Sequence, residues 1–174
     1  MESQTQVARF KRTSPVPQVD GTKYDRFQEF VRADFEQCCA YCYLHEDHIG
    51  GRRHFELDHF CPRRPCPHRI DDFYNLYWCC HGCNKPGSKH AHWPSDDLIA
   101  LGFGFVDLCV DRFEDHYSLN PDGELNPLTK KAEYTIDHIG LNCVDLKRLR
   151  ARLQNKKQRM DAEDPGHLNI KDTI

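Results

Sequence analysis

Apolar positions first become periodic in the third decade of the chain, where Tyr24, Phe27, Val31 and Phe35 recur at helical spacing. They predict a helix over 23–37, with Thr22 followed by Asp25 resembling a capping box at its start. The period then shortens. Phe55-Glu56-Leu57-Asp58-His59-Phe60 alternates and predicts a strand presenting one polar pair at its end. The apolar run over 98–110, interrupted by Gly102 and Gly104, reads as a helix end followed by a buried strand. Residues 134–141 predict a short helix ended by Gly140. Asn142 with Asp145 is a second capping signal, opening a helix with Val144, Leu146, Leu149 and Leu153 on one side. Its other faces carry Lys147, Arg148, Arg150, Arg152, Lys156, Lys157 and Arg159. Residues 1–21, with Pro15, Pro17 and Gly21, predict an extended leader that is poorly ordered unless a partner holds it. The residues from Asp161 onward read as a frayed tail. The expected organisation is therefore a leader over 1–21, a core with its leading helix over 22–95, and a mainly helical extension over 96–174 that packs on the core or on a partner.

Composition narrows the class. With 174 residues, 39% hydrophobic and 29% charged, the chain suits one ordinary globular domain with a short appendage. Its longest apolar stretch is too short to span a bilayer. The polar amino terminus lacks the apolar segment of a secretory signal, so a reducing cytoplasm is expected. In that compartment the ten cysteines are read as metal ligands or buried thiols rather than disulfides. The net charge of -3 excludes a strongly basic nucleic-acid coat and leaves room for a local basic groove.

Eight of the ten cysteines and eight of the eleven histidines fall within 38–93. Two C-x2-C pairs stand out there, Cys39 with Cys42 and Cys80 with Cys83. A tight turn between cysteines three apart points both thiolates at one ion, and two such turns supply the four-thiolate shell that zinc prefers. The doublets Cys38-Cys39 and Cys79-Cys80 leave Cys38 and Cys79 as alternatives at C-x3-C spacing. Between the knuckles, Asp58 sets a hard oxygen ligand beside His59, an imidazole able to take a proton near neutral pH. Asn84, directly after Cys83, can complete a carboxylate-carboxamide pair for a second divalent ion. Cys61-Pro62-Arg63-Arg64-Pro65-Cys66 with His68 reads as a constrained loop, with a further metal site as the less favoured alternative.

The order C-x2-C, Leu-Asp-His, Asn-Leu, C-x2-C-Asn resembles the four-cysteine form of the HNH, or ββα-metal, nuclease motif over residues 39 to about 90. The resemblance implies an α+β fold: a zinc-clamped ββα-metal core with flanking N-terminal and C-terminal helices. It also implies that Asp58 and Asn84 hold a catalytic divalent cation, Mg²⁺ or Mn²⁺, that His59 is the general base, and that Asn75 orients His59 and the loop. Cys39, Cys42, Cys80 and Cys83 hold a structural zinc by the same resemblance. Lys89 looks like the family's lysine after the Cys-Asn step at a longer interval, with Lys85 as its rival for a phosphate contact. Downstream, Asp122-Gly123-Glu124-Leu125, Tyr134-Thr135-Ile136 and Leu141-Asn142 before an arginine-rich helix resemble the HNH subunits of Septu-type and retron-linked anti-phage systems, which work beside an ATPase.

The expected activity is metal-dependent hydrolysis of phosphodiester bonds, DNA favoured over RNA, in anti-phage defence. Arg63 and Arg64, with Arg52, Arg53 and Arg69, are candidate backbone contacts. The main rival is a non-catalytic zinc-knuckle adaptor that binds nucleic acid or protein; a thiol redox protein fits less well, since no thioredoxin-like βαβ pattern accompanies the C-x2-C pairs.

Overall fold

The computed structural model describes residues 8–21, 23–85 and 89–163, with side chains to residue 159. The leading helix forms as a 3-10 turn, Tyr24–Phe27, running into α1, Gln28–Asp34. It stops three residues sooner than its periodicity suggests because Glu36 and Gln37 take positive φ, 52° and 62°, turning the chain toward the first knuckle. The expected cap at Thr22 lies outside the described residues; Lys23 occupies the cap position without a side-chain bond.

Strand β1, Phe55–His59, pairs antiparallel with β2, Leu76–Cys80, placing Phe55 opposite Cys80 and His59 opposite Leu76. All five β2 residues are buried. They are apolar or thiol-bearing on both faces, as a strand covered from both sides requires. Phe35 packs on Tyr77 across one face, with ring centroids 5.0 Å apart.

The chain beyond 95 is less helical than its pattern suggests. Helix α2 is the short Asp96–Ala100. The buried strand expected after it is absent; Phe105, Val106 and Leu108 are buried from irregular chain instead. Thr135 Oγ1 accepts from Val106 N at 2.9 Å, replacing a strand partner. Helix α3, Phe113–His116, leads into a second hairpin, β3 Tyr117–Leu119 and β4 Leu125–Pro127. Helix α4, Lys130–Ile139, begins a turn before its apolar pattern does, where Thr129 accepts from Ala132 N. It ends at Gly140 as expected, with φ 78° in the left-handed region where glycine carries no Cβ penalty.

Helix α5, Val144–Glu163, buries Leu153 but exposes Val144, while Arg150, expected among the charged faces, is 1% exposed. Arg150 donates to the carbonyls of Gly123 and Leu141 at 2.7 and 2.6 Å and to Asn142 Oδ1 at 3.2 Å. Asn142 therefore serves the β4 junction, accepting from Leu125 N at 2.9 Å, rather than capping the helix. At Gly123, φ 79°, a Cβ would stand 2.0 Å from the Lys147 carbonyl oxygen. The absence of a side chain there lets α5 lie directly on the β3–β4 turn.

One continuous core runs from Phe10 to Leu153. The described part of the leader is docked on it. Phe10 is buried, with its N–H bonded to the Leu108 carbonyl at 3.1 Å, and Arg12 pairs with Asp34 at 3.0 Å while donating to the Phe73 carbonyl at 2.8 Å. A buried aromatic and a buried ion pair hold what proline content alone marks as loose. The tail beyond 163 lies outside the described residues. The protein is thus α+β, with two small antiparallel hairpins and helices on either side. The helix that a ββα unit would place directly after the second knuckle is not seen among the described residues there, which form turns up to α2.

Candidate metal centre and adjoining polar site

The first knuckle follows α1 through the positive-φ turn, and the second closes β2. Pairing of Ala40 N with the Trp78 carbonyl at 2.8 Å and of Phe55 with Cys80 brings the two together. Cys39, Cys42, Cys80 and Cys83 are all buried, and their Sγ atoms all lie within 4.8 Å of one another. The Cys42 and Cys80 sulfurs are 3.9 Å apart. A tetrahedron with zinc-sulfur bonds of about 2.3 Å has edges near 3.8 Å, so the spacing fits zinc. The x2 reading is the one the structure adopts. Cys38 instead directs its sulfur to the Glu36 carbonyl at 3.6 Å, and burial pushes its thiol up to about 12. Cys79 packs beside the cluster, 4.0 Å from Cys39 Sγ, and burial holds its thiol well above the ordinary range. Burial also opposes ionisation of Cys39, but the hydrogen bonds from the surrounding thiols outweigh it and draw its pKa well below the usual value.

Strand alternation sends Asp58 and His59 to opposite faces of the hairpin. Asp58 Oδ2 accepts from Tyr41 OH and from Lys89 Nζ, each at 2.5 Å. Its Oδ1 accepts nothing among the described residues. Lys89 also donates to the carbonyls of His59 and of Phe60, the latter at 2.9 Å, so one ammonium joins the Asp58 carboxylate to the backbone at the end of β1. Burial lowers the Lys89 pKa, against the pull of Asp58. The expected phosphate contact is therefore not how Lys89 is used here: it is 4% exposed and satisfied by three oxygens. Lys85 is exposed beside Asn84.

Asn84 shares the Asp58 side of the hairpin, but its Nδ2 donates to Glu56 Oε1 at 3.0 Å rather than meeting Asp58. Glu56, two residues before Asp58 and on the same strand face, joins the site. The alternation of the strand places it there, although the sequence marks only Asp58 as a ligand.

His59 Nε2 lies 2.9 Å from the Ile70 carbonyl, a bond in which the imidazole must donate. That fixes the tautomer and leaves Nδ1 with its lone pair, on which Arg63 Nε rests at 3.4 Å. Arg63 is anchored in turn on the Tyr24 hydroxyl at 2.6 Å. Burial lowers the His59 pKa, the Ile70 bond raises it, and the Arg63 charge lowers it again; the net direction is downward. Neutral imidazole is the resting form at pH 7.

Asn75 is 1% exposed and holds the loop over 61–69 by three bonds. It accepts from Cys61 N at 2.8 Å and donates to the Cys61 and Arg69 carbonyls at 3.1 and 3.0 Å. Arg69 precedes Ile70, so Asn75 fixes the carbonyl that orients His59. The loop is constrained as expected, but by a disulfide between Cys61 and Cys66, against the expectation of metal ligands or buried thiols rather than disulfides. Cys66 N bonded to the Pro62 carbonyl at 3.0 Å makes a turn that brings the two Cα atoms to 6.0 Å, within disulfide reach. Local turn geometry, which a compartment-wide composition argument does not include, decides that pair. Of the remaining arginines, Arg64 is exposed, Arg52 pairs with Glu29, and Arg69 with Asp72 at 2.8 Å.

No family model matches the chain, and no curated protein matches it. Among the described residues no helix is long and apolar enough to cross a membrane. A buried four-cysteine site suited to zinc at one end of the first hairpin, and a histidine locked in one tautomer at the other, is what the geometry provides.

Proposed function

We propose that the protein is a divalent-metal-dependent endonuclease that hydrolyses phosphodiester bonds, DNA favoured over RNA, with the four-cysteine zinc as its frame. The observation that carries this reading is the lock on His59. Its Nε2 is committed to the Ile70 carbonyl, so the basic atom is Nδ1, and burial keeps it unprotonated at neutral pH. An imidazole held this way can draw a proton from water attacking phosphorus. Asp58 keeps Oδ1 unencumbered while Tyr41 and Lys89 hold Oδ2, and the Asn84 carboxamide stands on the same strand face through Glu56. Asp58 and Asn84 are the groups that would hold Mg²⁺ or Mn²⁺. Such an ion would supply charge stabilisation to the phosphate under attack. Arg63, at the mouth of His59, is placed to meet a phosphate in place of Tyr24. The resemblance to defence-system nucleases extends the proposal to an anti-phage role beside an ATPase partner.

One observation favours a second reading. Lys89 already neutralises Asp58, so the hairpin is stable as a metal-free frame on that side, as a zinc-knuckle adaptor needs. Incubating the zinc-loaded protein with supercoiled plasmid and with structured RNA, in Mg²⁺, Mn²⁺ or EDTA, separates the two. The nuclease reading expects nicking in Mn²⁺ or Mg²⁺ that EDTA abolishes and that Asn84→Ala reduces at least tenfold with zinc retained. Binding without cleavage under every condition, with the partner ATPase added, establishes the adaptor.

A further inference from the structure

A groove of about 940 Å³ runs between helix α5 and the 3-10 turn Glu46–Ile49. Leu149 and Leu153 form its floor; Arg152, Lys156 and Arg159 line one wall, with His48 and Asp47 opposite. The three cations are exposed and follow one another at intervals of four and three residues, which places them on one helix face. Neither Arg152 nor Arg159 meets a carboxylate among the described residues. Over 144–159 the helix carries seven Lys or Arg against a single acid, Asp145, in a chain of net charge -3. Of these seven, Arg150 is buried on backbone carbonyls and Lys147 pairs with Glu124, while Arg152, Lys156 and Arg159 line the groove with Asp47, a local positive excess against the sign of the whole molecule.

We propose that this groove binds the sugar-phosphate backbone of a nucleic-acid strand, as a second contact surface apart from the candidate cleavage site. The proposal rests on the nuclease reading only for the class of ligand. At 1.5 Å rise per residue, Arg152 to Arg159 spans roughly 10 Å, the length of about three phosphates at 3.4 Å per nucleotide. Each cation then faces about one phosphate. An acidic polypeptide fits less well, because a protein interface needs an apolar centre. Here Leu153 is buried and Leu149 half-buried beneath charged side chains. The opposite wall belongs to the segment joining the first knuckle to β1, so a strand seated in the groove lies against the same chain segment that leads into Asp58.

The test is binding rather than cleavage. A fluorescein-labelled 20-nucleotide single strand and its duplex are titrated with wild type and with R152Q/K156Q/R159Q in EDTA, across a range of salt concentrations. Zinc content and circular dichroism establish that both proteins are folded. The proposal predicts a slope of log affinity against log salt that is shallower in the variant by roughly two to three, the counterions released by three phosphate contacts. R148Q, on the same helix outside the groove, should change it by less than one. An unchanged slope in the triple variant overturns the proposal. Equal slopes accompanied by selective loss of poly-L-glutamate binding also overturn it and assign the groove to an acidic protein. Because no cleavage is measured, a protein that binds through this groove but never cuts refutes the nuclease reading and leaves the groove standing.

Discussion

The two ends of the first hairpin are built on opposite plans. At the end where Phe55 faces Cys80, the four thiols of two C-x2-C motifs lie within 4.8 Å of one another, and the site is complete from those two short motifs. At the end where Asp58 faces Tyr77 and His59 faces Leu76, the polar groups are positioned by residues from across the chain: Tyr41, Lys89, Ile70, Asn75 and Arg63. The sulfur end groups four buried thiols that could hold an ion. The oxygen and nitrogen end is held by protein groups, with Asp58 Oδ1 accepting nothing among the described residues and His59 Nδ1 accepting from Arg63. A four-cysteine frame and a polar site are thus separated along the five residues of β1.

The largest effect should come from the sulfur end. Cys83→Ser removes one of four ligands, and structural zinc binding is worth about 10–16 kcal/mol of folding free energy in small zinc domains. The variant is expected to lose its zinc and its cooperative thermal transition; a normal melting curve with zinc bound would show that the cysteines are not the frame. Next is the ion pair behind Asp58. Lys89→Met leaves a buried carboxylate without its cation, which costs about 3–5 kcal/mol. Chemical denaturation should show that loss with zinc retained, and an unchanged midpoint would mean that Lys89 does not hold Asp58 in solution. Asn75→Ala breaks three buried hydrogen bonds at a cost of about 1–3 kcal/mol. It should also lower cleavage by releasing the Ile70 carbonyl, whereas a stability loss with cleavage intact would limit Asn75 to the loop.

The smallest effect is on pH. Because burial holds His59 below its ordinary 6.5, the neutral base persists as pH falls to that value, and the acid limb of cleavage should lie beneath it. The same shift means that the unfolded chain takes up the proton first, so this residue's contribution to stability declines as pH falls below about 6.5. A limb centred above 6.5 would contradict the assigned environment of His59.

The sulfur end was legible because C-x2-C spacing is itself the geometry, and β1 because alternation is its period. The choice of Cys39 and Cys80 over Cys38 and Cys79 followed from the same spacing. The other end was legible only in its central letters. Nothing in spacing ties Tyr41 to a carboxylate 17 residues on, or Lys89 to one 31 residues back. Glu56 was within reach of the alternation rule, and the turn that joins Cys61 to Cys66 was not. Likewise Arg12 and Arg150 are buried by partners distant in sequence, and residue type alone assigns both to solvent.

The division of labour along the hairpin is tested most directly by His59→Ala. Zinc content, melting temperature and metal-dependent plasmid nicking are measured side by side with wild type. The account predicts about one zinc per chain in both proteins, as four thiolates imply. It also predicts melting temperatures within a few degrees and a loss of cleavage of about 10²–10⁴-fold, the usual worth of a general base. Nicking at the wild-type rate by a zinc-loaded, folded His59→Ala protein would contradict it.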